Sequence, residues 1–163
     1  MMLRPVDDRD VFPLYRWRCD PETCRFAKTV APPTWEEHLR WFMRRLPLPD
    51  WHIGVEALTG QSVGVVRFDE SIVSITVDPL LRGRWHGRWL LKVGTEAFQK
   101  AHPGVQIVAQ IYRLNVSSQR IFGWAGYQRV TNGDWEEWRK SDTPVPTPPI
   151  FPANRIVREG GLA

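Results

Sequence analysis

Between Trp51 and Asp78 the chain reads WHIGVEAL, SVGVVRFD and SIVSITVD, with the turn residues TGQ and DE between the runs. Short runs rich in β-branched residues, joined by two or three turn residues, leave room only for antiparallel hairpins. The middle of the chain is therefore expected to be a three-stranded meander. A long helix follows, over about His86–His102, with Leu90, Val93, Ala97 and Ala101 at inward-facing spacing. VQIVAQIY reads as another strand, and Val116–Ala125 as a short helix that Gly126 ends. DWEEWRK reads as a last strand. Antiparallel and crossover pieces in one chain predict the α+β class: a mixed, mostly antiparallel sheet flanked by helices.

Before the meander, Leu3–Val6 reads as a strand and Arg9–Cys19 as a helix, with Pro13 near its first turn. The segment from Asp20 to Pro33 holds three prolines and reads as a loop. Thr34 opens a second helix, because T-W-E-E is a capping box. Trp35, Leu39, Phe42, Met43 and Leu46 are expected to form its buried face, and His38 its solvated one. From Ser141 the chain carries five prolines in nine residues, which excludes helix and central strand. This gives one domain over 1–140 and a proline-rich tail over 141–163. No apolar run approaches membrane-spanning length, and MMLRPVDDRD lacks a signal-peptide core, so a cytoplasmic protein that does not contact membrane is expected. Cys19 and Cys24 lack partners at zinc-site spacing; free thiols and no metal are expected.

Chemistry concentrates in VDPLLRGRWHGRWLL, residues 77–91, where a strand passes through a turn into a helix. A helix N-terminus presents unpaired N–H groups and partial positive charge. Glycines let a backbone approach phosphate oxygens closely, and Arg82, Arg84 and Arg88 add neutralising charge. A polyphosphate ligand suits this turn, whereas a surface turn with solvated arginines is the plainer reading. It is neither a Walker loop, lacking the lysine, nor a dinucleotide fingerprint, because it follows an antiparallel meander.

The pattern V-D-P-x-x-R-G-x-x-x-G between strand and helix resembles the acyl-CoA-binding segment of the GNAT family of N-acetyltransferases. Arg82 takes the first position of that pattern and Gly87 the last, while Trp85 stands where a middle glycine is usual. NVSSQRIFGWAGY, residues 115–127, is similar to the family's later N-x-x-S/A-x-x-x-Y/F-x-x-x-G-F/Y segment. LRPVDDRDVFPLYRWRCDPET and TWEEHLRWF look like the branch that acetylates amino sugars or protein amines. The resemblance covers about residues 2–130.

It implies a GNAT-like sheet whose central strands splay at the cofactor site, with acetyl-CoA as co-substrate. Ile75, Thr76 and Val77 would pair with the pantetheine arm. The N–H groups of Arg82, Gly83, Arg84, Trp85, His86, Gly87 and Arg88 would hold the pyrophosphate. Asn115 would hydrogen-bond the cofactor, Phe122 would pack against it, and a backbone N–H near Val77 would meet the developing oxyanion. If Trp85 keeps an ordinary helical φ, only its N–H matters and its indole points outward; Gly83 and Gly87 then carry any unusual angles. Phe122 stands where many members have an acidic tyrosine, which leaves Tyr112 as substitute acid. Glu56, read as part of a central strand, is the candidate base.

The expected activity is acetyl transfer to a primary amine, first an amino sugar or other small molecule, then a protein N-terminus. The acceptor should enter between the first two helices and the 20–33 loop. A homodimer fits the resemblance. Two alternatives stay open: a GNAT-fold protein that binds a CoA ester without turnover, and a basic, tryptophan-rich nucleic-acid module. The formal charge of +4 is small for the latter.

Overall fold

Among the described residues, seven strands form one sheet in the order β1-β2-β3-β4-β5-β7-β6. They are Met2–Pro5 (β1), Trp51–Val55 (β2), Ser62–Asp69 (β3), Ile72–Val77 (β4), Val108–Tyr112 (β5), Tyr127–Arg129 (β6) and Trp135–Lys140 (β7). The computed structural model describes residues 1–141; nearly all of the stretch expected as a tail, from 142 onward, lies outside the described residues. Every strand pair is antiparallel except β4–β5, as a mostly antiparallel α+β sheet requires. The meander closes as its turns dictate, with β3 and β4 in register from Gly64↔Val77 to Asp69↔Ile72. The three-residue β6 is too short to show a period and was not legible in the sequence.

Alternation along β3 divides the core. Val66 and Phe68 join Leu91, Phe98, Ile111 and Phe122 on one face, under His86–Ala101 (α4) and Val116–Trp124 (α5). Val65 joins Leu14, Trp17, Phe42, Trp51 and Ile53 on the other, under Val11–Cys19 (α1) and Trp35–Arg45 (α3). On α4 the buried stripe is Gly87, Leu90, Leu91, Gly94, Thr95 and Phe98; the expected Ala97 and Ala101 are exposed. Gly94 sets this rotation: a Cβ there would stand 2.7 Å from Val66 Cγ2, so the helix lies directly on the sheet at that point. The Asp20–Pro33 segment is not all loop. Pro21–Arg25 forms a short helix (α2), with Asp20 capping Thr23 N–H at 2.9 Å and proline at its first position.

The Thr34–Glu37 capping box forms in both directions, but α3 is turned from the expected face. Trp35, Leu39 and Met43 are exposed, while His38 and Phe42 are buried. His38 wins its place because Nε2–H donates to Val11 O at 3.0 Å and its ring packs among Tyr15, Trp35, Trp41 and Phe42. Burial holds its pKa below the usual 6.5, against the raising effect of the Val11 carbonyl. Burial lowers His52 likewise. The folded state thus binds fewer protons than the unfolded one below that value. Their contribution to stability is whole above pH 6.5 and is lost as pH falls beneath it. The urea midpoint is expected to drop between pH 7.5 and 5.5, and to drop less in His38→Gln, which keeps an N–H for Val11; equal drops would clear His38 of the effect.

Candidate active site

Strands β4 and β5 run parallel but pair only at Ile72↔Val108, where Val108 N–H donates to Ser71 O at 2.9 Å. Beyond that pair they part, and the sheet opens into a V. The N–H and C=O of one strand residue point to the same side. Ser71 faces β5, and Asp78 faces β3 through its N–H to Val63 O. Ile75 and Val77 therefore aim their backbone groups into the V without a strand partner among the described residues. Thr76 faces β3 and presents no backbone group to the V; its carbonyl would lie 2.5 Å from a Cβ on Gly64.

The mouth of this V is the 82–88 turn. Among the described residues no side chain caps the start of helix α4, and its first turn holds no acidic residue. Its first helical bond is Trp89 N–H to Trp85 O at 3.0 Å, so the N–H groups of His86, Gly87 and Arg88 precede the ladder. An uncapped, basic helix start is receptive to an anion. Gly83 takes the left-handed φ of +73° in open space. Gly87 has no positive φ; it is there for closeness, since a Cβ would sit 3.0 Å from Ile121 and 3.3 Å from Val77. Gly87→Ala is expected to cost about 1–3 kcal/mol of stability by overpacking, read from urea unfolding, and no cost would mean that Ile121 yields freely. Trp85 has φ −76° and ψ −6°, ordinary helical values, with its indole outward. His86 Nδ1–H donates to Leu81 O at 3.1 Å, which pins the turn.

Arg82 points elsewhere. Its Nη2 lies 2.6 Å from Asp20 Oδ1 and donates to Thr23 Oγ1 at 2.6 Å, and its Nη1 lies 3.2 Å from Glu22 Oε2. The side chain is tied to α2, leaving its backbone to the turn. Arg84 is exposed, and no carboxylate pairs with Arg84 or Arg88 among the described residues. Asn115 caps α5, its Oδ1 accepting Ser118 N–H at 3.1 Å, and keeps its amide N–H groups. Phe122 is buried in the core, edge-on to Tyr127 at 5.0 Å. The Tyr127 hydroxyl is pushed up to about 12 by burial and meets Thr95 Oγ1 at 3.0 Å, so it is not poised to give a proton.

Glu56 does not belong to a central strand. A bulge at Gly54/Val55 ends β2, and Glu56 stands exposed in the next turn, its Oε2 accepting from Thr59 Oγ1 at 3.0 Å. Tyr112 ends β5 with its ring 5.5 Å from Trp135. Ala109 and Ile111 face α4, so alternation puts Tyr112 on the opposite face of the sheet.

That opposite face holds a cavity of about 450 Å³ beside the end of β4. Phe12, Tyr15, Arg16 and Cys19 line it from α1, Asp20 from the junction of α1 and α2, and Asp78, Pro79 and Leu80 from the turn after β4. Arg82 ties these walls together at the rim through Asp20. Burial would raise the Asp20 carboxyl, but Thr23 and Arg82 outweigh it and hold the pKa below the usual range. Asp20 is an anion already answered by a cation. Asp78 lines the cavity; its Oδ1 accepts Leu80 N–H at 2.9 Å, and its Oδ2 has no hydrogen-bond partner among the described residues. Lys28, 5.8 Å from the Trp135 ring, carries the loop after α2 toward Tyr112. Asp78, Tyr15 and Phe12 line this cavity and are not among the candidate site residues that the sequence points to. The D-P step was a signal for the first, while an aromatic on a helix gives none.

Residues 1–128 match the family described as acetyltransferase (GNAT) domain. An uncharacterized protein of Methanocaldococcus jannaschii is 29% identical over 154 residues, 85% of this chain and 30% of that protein. The chain thus spans less than a third of that curated relative. A crystallised domain from Methanocaldococcus jannaschii DSM 2661 has TM-score 0.72 at 22% identity, covering 85% of this chain and 96% of the other. Spermidine N-acetyltransferase from Vibrio cholerae, solved with CoA and spermine, has TM-score 0.71 at 12% identity, covering 85% and 92%. At these identities the structural likeness establishes the shared fold.

Proposed function

We propose, given that this chain belongs to the acetyltransferase (GNAT) domain family, that it moves the acetyl group of acetyl-CoA to a primary amine on a small molecule, with an amino sugar as the favoured acceptor. One observation carries this reading: the V between β4 and β5 opens at one end on the uncapped start of α4 and lies beside the cavity next to Asp78. The pantetheine arm suits the unpaired backbone of Ile75 and Val77, as an added strand would, and the pyrophosphate suits the N–H groups of the turn.

Acetyl-CoA supplies an activated thioester. Asp78 Oδ2 takes the proton from the incoming ammonium, and the freed amine forms its bond to the thioester carbon. Val77 N–H meets the charge that develops on the carbonyl oxygen. The carbon–sulfur bond then breaks, and the departing thiolate receives the second proton that the amine nitrogen sheds, relayed through water or the Tyr112 hydroxyl, which ends the step protonated as it began. Phe122 supplies no proton. Positioning and proton handling suffice without a covalent enzyme intermediate.

The cavity speaks for a compact acceptor. Phe12 and Tyr15 offer aromatic side chains to a sugar ring, and Arg16 and Asp78 give the cavity lining both signs of charge. A polyamine like that of the Vibrio cholerae neighbour would meet one uncompensated carboxylate, since Asp20 is spent on Arg82. Calorimetry with acetyl-CoA, followed by thiol release over amino sugars, polyamines and N-terminal peptides, tests the reading. Micromolar cofactor binding and fastest turnover on an amino sugar are expected. No binding at millimolar acetyl-CoA would end it, and turnover confined to polyamines would move the acceptor class.

A further inference from the structure

Trp85 is where the chain departs from the glycine pattern, and its surroundings give the departure a use. Its helical backbone angles let a tryptophan sit there without strain. Its indole is 67% exposed at the mouth of the V. One turn along α4, the Arg88 guanidinium lies 4.7 Å from the Trp85 ring centre and 5.4 Å from that of Trp124, at the end of α5. Arg88 is half-buried and has no carboxylate partner among the described residues. Arg84, one residue before Trp85, is also unpaired among them.

A cation held by two indoles, its charge unanswered, is complementary to a ligand joining an aromatic ring to a phosphate. Indole faces stack on a purine base, and guanidinium pairs with phosphate oxygens. We propose that Trp85, Arg88 and Trp124 form a subsite for the purine and 3′-phosphate end of the acyl-CoA. This rests on the reading that the pyrophosphate lies on the 82–88 turn. In the ligand the phosphorylated ribose and adenine follow the pyrophosphate directly, so they emerge beside Trp85 and Arg88. Arg88 covers one face of the Trp85 ring, and the base takes the other. The same cluster is where a stretch of single-stranded nucleic acid would bind, but three side chains span a single nucleotide, and the formal charge of +4 is small for a nucleic-acid track.

The test is calorimetry on the full chain with acetyl-CoA and its 3′-dephospho analogue, for wild type, Trp85→Ala and Arg88→Gln. Wild type should favour acetyl-CoA by about tenfold, and Trp85→Ala should weaken both ligands by about tenfold. Arg88→Gln should bind the two ligands equally. Circular dichroism and melting temperature check that both substitutions leave the fold intact. Unchanged affinities in both variants, or persisting discrimination in Arg88→Gln, would overturn the subsite while leaving acetyl-CoA binding in place. Wild type that binds neither ligand would overturn the cofactor reading and the subsite with it. Trp85-dependent binding of a ten-residue single-stranded RNA, uncompeted by acetyl-CoA, would reassign the cluster to nucleic acid.

Discussion

Asp78→Asn is expected to lower kcat/KM for the acceptor amine about 100-fold, near the lower end of what a positioned base contributes. The substitution isolates charge from shape. Asparagine is as good a cap as aspartate, so the bond that Asp78 Oδ1 accepts from Leu80 N–H persists, and the turn after β4 keeps its form. What disappears is the negative charge on the lining of the 450 Å³ cavity. Thiol release measured over pH 6–10 reads the effect. Residual activity in the variant should climb with pH toward the pKa of the amine itself, because only the already neutral amine can then attack. An unchanged kcat/KM would assign proton removal to water and leave Asp78 as a cap.

Arg82→Ala is expected to raise the acceptor KM about tenfold while the acetyl-CoA Kd stays within twofold, a shift of about 1.4 kcal/mol in acceptor binding. Arg82 joins the 82–88 turn to Asp20, Glu22 and Thr23, about sixty residues away in sequence. Asp20 lines one wall of the cavity, and Pro79 and Leu80 line the other. Cutting the tie frees the walls to separate and leaves Asp20 with its Thr23 bonds alone. The paired measurements decide between two roles for this arginine. A weakened Kd with an unchanged KM would put its side chain on the pyrophosphate. Asp20→Asn should move KM in the same direction, because it removes the same contact from the other end.

Much of the architecture was legible from local signals. The hairpin turns fixed the meander, the T-W-E-E box fixed the start of α3, and Gly126, at φ +83°, lies just past the end of α5. Each signal acts within a few residues, so no distant contact was needed to read it. The turn at 82–88 was legible as an anion-receptive helix start for the same reason. Its glycines divided their work in a way only packing decides: Gly83 carries the angle, and Gly87 makes room for Ile121 and Val77.

The misreadings share one cause. The apolar spacing on α3 put Trp35, Leu39 and Met43 inward beside Phe42; Phe42 is buried as expected, but the Val11 carbonyl on another helix drew His38 inward and left the other three exposed. Glu56 read as a strand residue until the bulge at Gly54/Val55 ended β2 before it. By itself the sequence determined the meander, the longer helices, the Thr34 cap and the basic turn before α4, because those depend on neighbours in the chain. The tertiary structure alone decided that β4 and β5 part after one pair, that Asp78 meets Tyr15 across a cavity, and that Arg82 turns to Asp20. Those depend on which distant groups come to share a space, and no local pattern encodes that.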